Sequence, residues 1–129
     1  MTSPSPARTV LAVFLGYLTF LILEIGGAFA AAAAANLRTG SSLLISGELT
    51  TFVAAAAGGA VAARVAQSRP LAHAGALGLS IFSVTVLVSA LVQHRAPSPY
   101  PGWYPYANAI LSGVGAFVGG ALVGARSSG

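Results

Sequence analysis

No cysteine, no lysine and no aspartate occur in these 129 residues. Without cysteine the chain has no disulfide, no thiolate nucleophile and no Cys-ligated metal. What remains of its ionic inventory is six arginines and two glutamates, with two histidines beside them. Charged residues make up 6% of the chain, whereas a soluble domain carries about 25%. That is too few to cover a globule with polar surface. The arginines are scattered singly, which argues against a nucleic-acid patch. No Ser/His/Asp set, paired metal motif or phosphate-binding loop can be assembled from this inventory. "GVGAFVGG" at 113–120 superficially looks like a nucleotide fingerprint, but no strand precedes it. No enzymatic activity, cofactor or metal is therefore expected.

What the chain has in abundance is apolar sequence. It is 56% hydrophobic, with a mean hydropathy of +0.83. Four apolar stretches stand out, at about 9–36, 43–63, 71–93 and 106–125, and none of the seven prolines falls inside one. Each is long enough to cross a bilayer core of roughly 30 Å. In lipid the backbone must satisfy its own hydrogen bonds, so these stretches should be helices. The long Ala/Gly/Leu/Val runs do not alternate as barrel strands would. The expectation is an all-α integral membrane protein: one domain of four transmembrane helices, packed as two tandem helical hairpins.

With the N-terminus inside, the inner side holds Arg8, Arg64, Arg69 and Arg126, and the outer side Arg38 and Arg95. The positive-inside rule then places both termini in the cytoplasm, in a bacterial inner membrane. Tyr100, Trp103, Tyr104 and Tyr106 would lie at the outer interface, where rings with a polar edge settle. Arg8, the apolar run after it and "AFA" at 28–30 also resemble a signal peptide with its cleavage site. The run continues to Leu37, however, which favours a spanning helix. "GGAVAAR" at 58–64 matches "GGALVGAR" at 119–126, an offset of 61 residues with one insertion. The match suggests a hairpin used twice, about an axis along the membrane normal.

Lipid provides little hydrophobic drive between helices, so small residues that let backbones approach matter more. Gly58 and Gly59 in the second stretch, and Gly115, Gly119, Gly120 and Gly124 in the fourth, supply such faces. They suit packing within one bundle or between copies.

Against this background one carboxylate stands out, Glu24 in "LILEIGG". Glu24 lies 16 residues after Arg8, Glu48 lies 16 before Arg64, and Thr85 lies 16 after Arg69. At the helical rise all three sit roughly 24 Å from the inner interface. Asn108 and Ser112 bracket the same depth on the fourth stretch, with Thr50, Thr51, Ser83 and Ser89 close by. One polar layer in the outer half is the expectation. A buried acid needs a partner or a proton, and no arginine lies at that depth. Glu24, Glu48, Thr85 and Asn108 are therefore candidate proton- or cation-binding residues. Tyr17 shares a helix face with Glu24 and would place a ring against a cation. The plainer reading is a neutral Glu24 acting as structural glue, and for Glu48 an acid near a helix start. His73 and His94, roughly 30 Å apart on one helix, cannot share a metal and read as solvated interfacial side chains.

A chain of this length with a glutamate in its first helix resembles the small multidrug resistance transporters. The resemblance implies that Glu24 exchanges protons for cationic drugs within an oligomer, with Tyr17 beside the cation. "ANAILSGVG" at 107–115 is similar to a segment of that family's third helix, but here it falls on the fourth, and Glu48 has no counterpart there. The leading expectation is a non-enzymatic accessory subunit of a membrane assembly, its partners being the bilayer and another membrane protein or further copies. The alternative is a small proton-coupled transporter or ion-conducting homo-oligomer. A third is a helix bundle around another subunit's cofactor.

Overall fold

The computed structural model describes residues 5–34, 41–66, 69–93, 95 and 100–127, with the side chains of 41–43 and 127 left aside. Arg38 and His94 lie outside the described residues. The described chain is helical: α1 (Pro6–Ala34), α2 (Ser41–Ala66), α3 (Pro70–Gln93) and α4 (Tyr104–Ser127). Each carries a segment long and apolar enough to span a membrane. Each helix starts one to three residues before its apolar run; in α1 and α3 the first turn is set by capping chemistry. Pro6 and Pro70 open α1 and α3, in the first-turn position where a missing N–H costs nothing. Ser5 caps α1, its carbonyl accepting from the N–H groups of Arg8 (3.0 Å) and Thr9 (3.2 Å). Arg69, at φ 50°, does the same for α3, accepting from Ala72 at 3.0 Å. "AFA" at 28–30 lies inside the continuous α1.

The distribution of side chains is that of a protein in lipid. Large apolar side chains such as Phe14, Ile22, Leu79, Leu87, Ile110 and Leu122 face outward. The interior is built mainly of alanine, including Ala12, Ala54, Ala55, Ala62, Ala74, Ala109 and Ala116, with Phe20, Leu77 and Ile81 as its larger members. α2 and α4 form the central pair; α1 lies along α2 and α3 along α4, with slighter α2–α3 and α1–α3 contacts.

Glycine sets how closely the helices approach. A Cβ on Gly59 would run into the Ala116 carbonyl, and one on Gly119 into the Ala56 carbonyl. These two contacts between α2 and α4 are reciprocal. A Cβ on Gly115 would lie 2.6 Å from the Phe52 carbonyl oxygen. Gly58 meets Gly16 of α1 in the same way (2.6 Å to the Gly16 oxygen), and Gly120 meets the Ala74 side chain of α3. Gly124 has ordinary room, 3.5 Å from the Pro70 ring. The small-residue faces are thus occupied within the chain itself, where close contact replaces the missing hydrophobic drive.

The four helix ends that carry Arg8, Arg64, Arg69 and Arg126 lie at one end of the bundle. The Arg8 Nε donates to the Val65 carbonyl at 3.1 Å, one of the last carbonyls of α2, where a cation also favours the helix dipole. His73 is buried, at 5% exposure, and is not the solvated side chain that its interfacial position suggested. Its Nδ1 lies 3.1 Å from the Arg69 carbonyl, and its Nε2 lies 3.2 Å from the Thr9 hydroxyl. A carbonyl only accepts, so in the neutral ring Nδ1 carries the proton and Nε2 accepts from Thr9. Burial follows from this pairing, which ties the start of α3 to the start of α1.

Candidate functional site

In the opposite half, three helices contribute to one hydrogen-bonded chain. The Thr51 hydroxyl of α2 donates to Glu24 Oε1 of α1 at 2.7 Å. The Thr51 hydroxyl oxygen in turn accepts from Asn108 Nδ2 of α4 at 2.9 Å. A hydroxyl has one proton and two lone pairs, so Thr51 serves both neighbours without conflict. Thr51 is 1% exposed and forms the hub. Ser112, fully buried, donates to the Asn108 carbonyl at 2.6 Å and so turns back on its own helix. Thr50 does likewise, bonding the Ser46 carbonyl at 2.8 Å. Such back-bonding is how hydroxyls satisfy themselves in an apolar helix.

Two glycines shape the site. α1 approaches α2 at Gly27, where a Cβ would collide with the Thr50 methyl. This brings Glu24, one turn earlier, within reach of Thr51. At Gly47 a Cβ would lie 2.7 Å from the Tyr104 hydroxyl, so the tyrosine tip reaches the α2 backbone only because Gly47 has no side chain. Tyr104 stacks on Tyr100, with ring centroids 5.0 Å apart and planes 17° apart, and meets Trp103 edge-on at 6.0 Å.

Beneath them Glu24 lines two cavities. One, of about 230 Å³, lies between α1 and α2 and is bounded by Gly27, Gly47, Thr50, Tyr100 and Tyr104. The other, of about 340 Å³, reaches α3 and α4 and is bounded by Thr85, Ser89, Asn108, Tyr100 and Tyr104. Glu24, Thr85 and Asn108, placed at one depth by residue counting, therefore meet around one space. Glu48 does not join them. It lines a separate cavity of about 280 Å³ with Trp103, Phe52 and Leu111. Tyr17 lines none of these cavities; it packs edge-on against Phe20 at 6.1 Å, beside the alanine core. The rings beside Glu24 are Tyr100 and Tyr104.

The carboxyl groups carry the chemistry. Glu24 Oε2 and both Glu48 oxygens are buried with no hydrogen-bond partner among the described residues. Buried polar atoms without partners are rare in folded proteins and call for a specific explanation. A carboxyl held by one oxygen, with the other unpaired beside a ring-lined cavity, can take up a proton or a cation there. Residue counting brought Thr51 only near the layer, and it missed Gly27, Gly47 and the two tyrosines as site residues. The one available signal was the "YPGWYPY" cluster, which sequence alone places at an interface and not over a carboxylate. Compared with family models, curated proteins and solved structures, the chain matches none.

Proposed function

We propose that this small multi-pass membrane protein binds a proton or an organic cation at Glu24 and is a proton-coupled transporter or ion-conducting protein. The observation that carries the reading is the state of Glu24. One oxygen is anchored through Thr51 to Asn108, and the other is buried with no partner among the described residues, on a group that lines two cavities under Tyr100 and Tyr104. Anchoring orients the carboxyl, and the unpaired oxygen is left to bind. Glu48 is a second buried acid, neither oxygen partnered among the described residues, in its own apolar cavity. Structural glue would account for Oε1 and leaves Oε2 unexplained. The test is proton release from the purified chain in weakly buffered detergent when a tetraalkylammonium probe is added. The wild type should release protons as it binds the probe, and Glu24→Gln should do neither while remaining helical. Equal binding by Glu24→Gln would sink the proposal.

The accessory-subunit reading has one observation in its favour. Gly26 of α1 and Gly75 of α3 have nothing among the described residues within 4 Å of where a Cβ would stand, so another helix could approach closely there. Gly119 and Gly120 are engaged within the bundle and are unsuited to holding a partner. The reciprocal Gly59·Ala116 and Gly119·Ala56 contacts are exchanged by a shift of 60 residues, one short of the 61-residue offset of the sequence match. The gathering of four arginines at one end supports placing both termini on the cytoplasmic side. Nothing in the polar inventory favours an enzyme.

A further inference from the structure

The arginine end holds a cleft that the carboxylate site does not use. It has a volume of about 690 Å³ and lies between the start of α3 and the end of α4, lined by Arg69, Pro70, Leu71, Ala121, Gly124 and Ala125. Apart from Arg69 these side chains are apolar. Gly124 and the alanines keep the α4 wall low. The cleft sits where spanning segments end, at the depth of lipid headgroups. Both acids of the chain, Glu24 and Glu48, are in the other half, while Arg8, Arg64, Arg69 and Arg126 share this end. Arg8 is engaged with the Val65 carbonyl and His73 with Arg69 and Thr9. The Arg69 side chain is exposed at the lip of the cleft.

We infer that this cleft binds an anionic phospholipid. The headgroup phosphate pairs with the Arg69 guanidinium, and the adjoining acyl chain lies along Leu71, Ala121 and Ala125. A soluble anion would have no use for the apolar floor, and a zwitterionic lipid would gain less from an end with four arginines and no acid. The inference is independent of what Glu24 binds, because the two sites are at opposite ends of the bundle.

Native mass spectrometry of the full chain in mild detergent tests it, titrating phosphatidylglycerol against phosphatidylcholine of the same acyl chains. The wild type should prefer phosphatidylglycerol about fivefold, the worth of one well-placed arginine near an anionic headgroup. Arg69→Gln should bring the preference to within about twofold, and Arg95→Gln, at the other end, should leave it intact. Gly124→Leu fills the cleft without changing charge and should weaken binding of both lipids. The inference fails if the two lipids bind alike, or if Arg95→Gln loses as much as Arg69→Gln. It also fails if Gly124→Leu binds like the wild type, or if inorganic phosphate at equal concentration displaces the lipid. Circular dichroism of each variant separates lost binding from lost fold.

Discussion

The two halves of the bundle are joined by different means. From its middle to the arginine end, backbone meets backbone: Gly16 against Gly58, Gly59 against Ala116, Gly119 against Ala56. At the carboxylate end side chains meet the helices' glycines, the Thr50 methyl at Gly27 and the Tyr104 hydroxyl at Gly47. There the helices are linked by a single hydrogen-bonded chain, Glu24–Thr51–Asn108, with cavities on either side of it under Tyr100 and Tyr104. The contrast shows how a chain with so few polar groups can build both a rigid frame and a site. Dispersion and close approach hold the first half. The second adds polar groups that have no better partner in lipid, with cavities beside a carboxyl.

Variants that cross this boundary test the contrast. The largest effect is expected for Gly119→Leu, whose Cβ alone would already strike the Ala56 carbonyl. Overpacking against backbone should cost about 3 kcal/mol or more, read as loss of a monodisperse, thermally cooperative species in detergent. A tolerated Gly119→Leu would mean that backbone contact is not what holds that half. Thr51→Val comes next. It strands both Glu24 and Asn108, at about 2 kcal/mol, and should abolish proton release at Glu24, whereas Thr51→Ser should restore both. If Thr51→Val lowers the melting temperature but leaves proton release unchanged, the hydrogen-bonded chain is structural only.

Gly26→Ala has the opposite sign. Gly26 is helical and has open space around it, so the alanine should stabilise by about 0.5–1 kcal/mol through helix propensity. The same change at Gly27 should destabilise, since its Cβ would meet the Thr50 methyl. This adjacent pair, compared by thermal melting, sharpens where the close contact begins. The smallest effect is expected for Arg8→Gln, which removes an exposed cap on the Val65 carbonyl for about 0.5 kcal/mol. Only a slight drop in melting temperature should follow.

Much of the fold was legible from the apolar runs. Their ends came within three residues of the helices, since a helix in lipid must be as long as the bilayer is thick. Among the departures are the first turns of α1 and α3, where Ser5, Pro6, Arg69 and Pro70 set the boundary by capping, which hydropathy does not register. The depth of Glu24, Thr85 and Asn108 was also legible, because helical rise is constant along a chain. Azimuth was not. Glu48 shares that depth and faces another cavity, and Tyr17 shares a helix face with Glu24 and still packs into the core.

By itself the sequence determined that this chain has four helices able to span a membrane and a carboxylate deep in the first. Length, apolar content and the scarcity of charge are properties of the chain alone, and the bilayer converts them directly into helices. Only the tertiary structure decided which residues meet around that carboxylate. Rotation of each helix about its axis depends on where neighbouring glycines allow contact. In this bundle that rotation brings Thr51 to Glu24, Tyr104 to Gly47, and His73 to Thr9.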